Sequence, residues 1–457
     1  MATLRGLQHR VARLFRSSPL NRRVWSLALP VMLSMTTFTA IMITDTAMVG
    51  RLGSEALAAT SMGGTAFWTV MSLFIGAAHA IQILVARRFG EKRLFEAGNV
   101  LYTALYLAII PGGILTAVCI QFTPELIAFL SHGERFSDNA ISFLRIRFLG
   151  LTLYFIIFIL RSFFDGIGRT YVGLVSAITS MAANIFMNWV FIFGHLGAPA
   201  MGADGAALAS TLAGIPGILV FVPFFFGKAM QALIRPALRL PDMRVLREIV
   251  LISLPTSLSE LVMNLSFLMF YKIAAMIGTN AVAATGIVVS ILSVSFMPGF
   301  GFSIATMTIV GQSIARKQYR KAYHGAYRSA AYAALVMGGM ACMFLSIPGP
   351  LIRLFNEDPA VVEAAIGALV LVALGQVGDA YGMNLAGALR SAGMVYHVLA
   401  VYAVASLGVL LPVAYFMGVY LQLGTGGLWS GILVWILVLW GILAYMFSGN
   451  RWQHIKI

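Results

Sequence analysis

Long apolar runs separated by short polar breaks fill this chain. They lie at about residues 24–48, 58–85, 96–120, 138–162, 169–194 and 205–228, and again at 248–273, 283–311, 320–345, 362–388, 395–418 and 427–447. Each is near or above the roughly 20 residues that cross a bilayer as a helix. A membrane β-barrel would instead show segments of about ten residues with alternating polarity, and none appear. The pattern therefore predicts twelve spans.

The runs form two sets of six. Shifted by 225 residues, the chain registers on itself: Leu29-Pro30 falls on Leu254-Pro255, Leu33-Ser34 on Leu258-Ser259, Gly76 on Gly301, Gly150 on Gly375, Gly168 on Gly393 and Tyr171 on Tyr396. Internal repeats are the common build of secondary transporters. An even number of spans per repeat starts both repeats on the same side, which relates them by an axis along the membrane normal. The expected fold is an all-α membrane protein of twelve transmembrane helices in two six-helix lobes with pseudo-two-fold symmetry. Its expected parts are a basic N-terminal segment (1–23), a first lobe (24–228), a linker (229–247), a second lobe (248–447) and a tail (448–457).

Composition agrees: 60% of residues are apolar and 10% charged, and the mean hydropathy is +0.90. Charge adds orientation, because Lys and Arg are retained at cytoplasmic span ends. Of the 31 basic residues, 24 lie in the two termini and alternate loops, against three (Arg51, Arg135, Arg353) in the opposite loops. Both termini are expected to be cytoplasmic, in the inner (plasma) membrane. The formal charge of +15 is dispersed over span ends, which suits anionic lipid headgroups and not nucleic acid. Cys119 and Cys342 lie within apolar runs and read as free thiols. Gly227-Lys228-Ala229 lacks the hydroxyl residue and glycine spacing of a phosphate-binding loop, so ATP is not expected to drive the chain. No catalytic Ser-His-Asp or Cys-His arrangement and no organic cofactor or structural metal is expected, and the chain is read as a monomer.

Among 16 acidic residues, only Asp45, Glu260 and Asp379 sit deep in apolar runs. A carboxylate at that depth costs about 2.5 to 3.5 kcal/mol on insertion scales, so such residues face cavities and mark ion or proton pathways. Asp45 is the sharpest case. Its repeat partner is Phe270, so the carboxylate is no scaffold feature common to both lobes. The plainer alternative is a structural acid hydrogen-bonded to neighbouring helices.

Pro30 with Asp45-Thr46-Ala47-Met48-Val49-Gly50-Arg51-Leu52-Gly53 and Ala56-Leu57-Ala58-Ala59 resembles the opening of multidrug and toxic compound extrusion (MATE) transporters. Leu254-Pro255, Glu260, Pro298-Gly299-Phe300-Gly301 and Gly387-Ala388-Leu389-Arg390-Ser391-Ala392-Gly393 are similar to the DinF-like branch. The resemblance covers about 24–447. It implies a cation-coupled exporter of two six-helix lobes that open alternately to either side. By the same resemblance, Asp45 is the ion-coupling carboxylate, with Asn184, Asn188 and Ser210 as its polar partners. Some relatives carry an acid where Asn188 stands, which leaves the coupling ion, H+ or Na+, open. Asn184 and Asn188 are four apart and share a helix face, an arrangement that also suits purely structural interhelical hydrogen bonds.

Glu260 and Asp379 are second-lobe cavity candidates, and in sodium-binding relatives the former's counterpart sits a turn later, near Met263. A lone carboxylate among neutral partners favours protons, with Na+ at Asp45 the runner-up. Small cationic or amphipathic organic substrates are expected, since acids are read as the only charged side chains deep in the cavity region. Arg161, Asp165 and Arg169 are read as an ion-pair clasp beneath the first lobe. Two other functions compete: a flippase for a lipid-linked precursor, and an integral membrane transferase.

Overall fold

The computed structural model describes residues 18–131, 137–227, 230 and 241–455. Most of the 229–247 linker, the basic residues before Ser18 and the last two residues of the tail lie outside them. The described residues are helical, with no strand among them. In chain order the spans are α1 (Pro19–Gly50), α2 (Ser54–Gly90), α3 (Leu94–Gln121), α4a (Ser137–Leu149) with α4b (Leu151–Ile167), α5 (Thr170–Phe193) and α6 (Ala203–Leu219). The second set is α7 (Met243–Ile277), α8 (Thr279–Ala315), α9 (Tyr319–Ser346), α10 (Pro359–Ser391), α11 (Val395–Ala405, continued to Tyr420 through two π turns) and α12 (Gly424–Ser448). Eleven of these, with α6 carried on to Phe225, are long and apolar enough to cross a membrane, and α4a with α4b, bent by 42° at their junction, complete twelve.

That bend departs from the predicted spans, as does α6, which ends at Leu219 before a separate turn at Val222–Phe225. Gly150 stands at the break, where an added Cβ would lie 3.0 Å from Thr211 Oγ1 on α6. Glycine admits this close approach, where a Cβ would need the Thr211 side chain to give by a few tenths of an ångström.

By internal packing the chain forms two compact units, one of Leu33–Ser257 and the other of Met1–Met32 with Leu258–Ile457. The sequence reading divides the lobes at the linker, whereas the compact units divide inside α1 and α7. In the first unit, the initial half of α7 lies on α2: Ser257 Oγ donates to the Leu73 carbonyl at 2.8 Å, and Arg88 pairs with Glu248 at 2.5 Å. Asn99 donates to Asp242 at 3.0 Å. α4 packs against α2 through Phe67, Phe148 and Tyr154. α5 lies against α6, with Ser176 Oγ donating to the Gly217 carbonyl at 2.8 Å.

In the second unit α10 is central and packs on α8, α9 and α12. Two of its buried polar groups are matched within the bundle: Ser295 donates to Gln376 at 2.6 Å and Thr306 to Asn384 at 2.8 Å. The initial half of α1 lies here, with Trp25 edge-on to Phe302 at 5.2 Å and Arg23 bonded to Gln312.

Candidate functional site

The last two turns of α1 bring Asp45 to the face shared by α5 and α6. Asn188 Nδ2 donates to Asp45 Oδ1 at 2.5 Å, and Ser210 Oγ donates to Oδ2 at 3.4 Å. Behind them Asn184 Nδ2 donates to Ser210 Oγ at 3.2 Å, and Asn188 Nδ2 is also shared with Asn184 Oδ1 at 3.2 Å. All four residues named from the sequence thus meet in one network within the first lobe. The geometry follows from helical spacing, since residues four apart on α5 lie one above the other. Both amides and the hydroxyl are buried, so the carboxylate is met by donors already fixed in place.

Asn188 Oδ1, fully buried, has no hydrogen-bond partner among the described residues. With its NH2 on the ionised acid, the amide carries a spare acceptor. Rotating the amide would present that oxygen to a protonated carboxyl, so one side chain can serve both protonation states.

Asp45 opens on a cavity of about 100 Å³ within the first lobe, and Thr37, Trp68, Tyr154, Ser180 and Phe221 are among its walls. Arg147 and Arg161 line the same cavity, which corrects the expectation that acids are its only deep charged groups. The signal was present: Arg147, Tyr154 and Arg161 recur every seven residues along α4 and make one polar stripe on an otherwise apolar span. Arg147 lies over the Phe67 ring at 4.4 Å and donates to Tyr154 Oη at 3.4 Å. Tyr154 in turn donates to the Ser210 carbonyl at 3.2 Å. Stacking on aromatic faces holds a guanidinium without a direct carboxylate contact, and Arg147 interacts electrostatically with Asp45. Arg161 Nε pairs with Asp165 at 3.7 Å, so the clasp read from the sequence includes this pair.

Glu260 and Asp379 are both in the second lobe. Glu260 accepts from Arg390 at 3.4 Å, and that guanidinium lies 5.4 Å from the Tyr402 ring centroid. Asp379 is 7% exposed, and its Oδ2 has no hydrogen-bond partner among the described residues.

Comparison with known proteins adds a second line of observation. The MatE family matches residues 30–190 and 255–416, one stretch in each repeat. The chain is 28% identical to the probable multidrug resistance protein NorM of Thermotoga maritima, over 95% of this chain and 93% of the relative. It is 26% identical to the multidrug resistance protein PmpM of Pseudomonas aeruginosa, over 90% and 88%. Among solved structures, an outward-facing multidrug resistance MATE family transporter of the MOP superfamily superposes with a TM-score of 0.86 at 22% identity, covering 95% of this chain and 97% of the other. These relatives do not single out the DinF-like branch.

Proposed function

The chain belongs to the MatE family, and from that premise we propose that it exports small amphipathic organic compounds from the cell by alternating access, in exchange for protons taken up at Asp45. It is a transporter of the inner membrane and not an enzyme. In the proposed orientation both termini are cytoplasmic, and the chain works as a monomer among anionic lipids without cofactor or ATP.

The contact between Asp45 and Asn188, Asn184 and Ser210 carries the proton reading. Neutral donors pointed at one carboxylate stabilise its ionised form, and rotation of Asn188 satisfies the protonated form. A sodium ion would need several oxygens directed at it and is bound more firmly where a second negative charge is present. Here the polar atoms nearest Asp45 are N–H and O–H groups. Protonation removes the charge on which the network is centred and turns the Asn188 amide, which reseats the end of α1 against α5 and α6 and so biases the lobe between two arrangements. Organic substrate and proton then compete for one state of the transporter.

Asp45→Asn tests this. In proteoliposomes an outward-to-inward proton gradient should drive efflux of ethidium by the wild-type protein. The variant should insert and fold normally yet lose gradient-driven efflux. Undiminished proton-driven efflux by Asp45→Asn would refute the assignment.

A further inference from the structure

The cavity beside Asp45 is long and thin. Its walls run from Arg147 on α4a to Arg161 on α4b and from Asn184 to Gly173 on α5, the latter a separation of about 16 Å along a helix at 1.5 Å per residue. On the third side they run from Ser210 of α6 to Phe221, just past the end of that helix. Yet the enclosed space is about 100 Å³, less than the roughly 150 Å³ of a cavity that takes up benzene, and enough for a few waters at about 30 Å³ each. An organic substrate does not fit along it. A few waters do.

Unmet hydrogen-bonding capacity lies at both ends. Near Asp45, Arg147 Nε has no partner among the described residues, and at the far end neither has Arg161 Nη2. A buried polar atom left in this condition is destabilising by about 1 to 3 kcal/mol, more when charged, and ordered water is the usual remedy where the space is polar. Between the ends, Ser176 and Ser180 of α5 and Tyr154 of α4 bring hydroxyls to the wall. Each end also combines a carboxylate with a guanidinium: Asp45 with Arg147, and Asp165 with Arg161.

We propose that this passage, wholly inside the first lobe, is the route by which the proton bound at Asp45 leaves for the cytoplasm, with the Arg161–Asp165 pair as its inner mouth. The proton leaves the Asp45 carboxyl, which regains its charge. It is handed along water and hydroxyl groups to Asp165, and is released to solvent beyond the end of α4. Proton and organic substrate then reach the same lobe by different paths, and the passage excludes the substrate by size. The inference rests on Asp45 as the proton-exchanging group and on the cytoplasmic placement of the α4–α5 turn.

The test uses the full chain in vesicles with the cytoplasmic face outward, a pH jump on that side, and time-resolved infrared detection of the protonated-carboxyl band that Asp45→Asn removes. Ala177→Leu, which fills the passage halfway along α5, and Asp165→Asn should each slow that band at least tenfold. Ala177→Ser, small and polar, should keep the wild-type rate and so separates blockage from misfolding. Wild-type kinetics in both Ala177→Leu and Asp165→Asn, with the band present, would overturn the route. Absence of any band dependent on Asp45 would instead remove the Asp45 reading, and the route with it.

Discussion

Under the proposed proton coupling, Asn188 is the residue at which a single atom would change the preferred ion. Its Nδ2 stands 2.5 Å from Asp45 Oδ1, so Asn188→Asp would set two carboxylates side by side. Two such groups cannot both stay ionised without a shared proton or a cation between them. With an extra negative charge and more oxygens, the variant should hold sodium. The expected outcome is that a sodium gradient at fixed pH raises export several-fold in Asn188→Asp and leaves the wild type unchanged. Sodium stimulation of equal size in both proteins would mean that the wild-type site already takes sodium. At this scale the sequence was informative wherever a residue was out of place in its surroundings. Asp45 stood out in an apolar run, and Asn184 and Asn188 shared a face. Arg147 and Arg161 were harder to assign, because an arginine near a span end ordinarily reads as a flank that reaches the interface. Only the stacking on Phe67 and the bend at Gly150 turn the α4 stripe inward.

Two glycines in register between the repeats do the same work on helices far apart in the chain. An added Cβ on Gly76 of α2 would lie 2.5 Å from the Ser253 carbonyl oxygen and 2.6 Å from the Ser257 nitrogen, both backbone atoms of α7. At Gly301 of α8 the Cβ would lie 3.2 Å from the Ala28 carbonyl oxygen and 3.1 Å from the Met32 nitrogen of α1. The 225-residue register pairs Ala28 with Ser253 and Met32 with Ser257, so each repeat seats the corresponding stretch of the other repeat's first helix. Backbone cannot retreat as a flexible side chain can, and overpacking of this kind is destabilising by about 1 to 3 kcal/mol. Gly76→Ala should therefore lower the melting temperature of the purified protein clearly, and Gly301→Ala to a lesser degree. Gly286→Ala, with nothing within 4 Å of its added Cβ, should leave it nearly unchanged. Equal melting temperatures for all three would show that the seats yield at little cost. The glycine register was visible in the sequence, but its partners were not, because periodicity marks the buried face of a helix without saying which helix covers it. For the same reason the sequence boundary fell in the linker, while the compact units divide inside α1 and α7.

Across the whole molecule the distribution of apolar surface is that of a protein solvated by lipid. On α3 alone, Ile109, Ile110, Ile114 and Val118 are 45 to 62% exposed, an arrangement that would drive association in water and is the low-energy one against acyl chains. Such an outer surface fixes that the helices span but leaves the direction of crossing open. Direction rests on charge: the long connection between the repeats carries Lys228, Arg235, Arg239, Arg244 and Arg247, whereas the loops on the other side carry only Arg51, Arg135 and Arg353. Basic loops of this length are retained on the cytoplasmic side because anionic headgroups and the membrane potential both oppose their crossing. Single cysteines placed between residues 229 and 247 should therefore react with a membrane-impermeant maleimide only in inverted vesicles or after permeabilisation. A cysteine at Arg353 should react in intact cells. Both native cysteines, Cys119 and Cys342, would first be replaced by serine to remove background. Reaction of the 229–247 cysteines in intact cells would invert the proposed topology, and with it the direction in which the proposed Asp45 passage would deliver a proton.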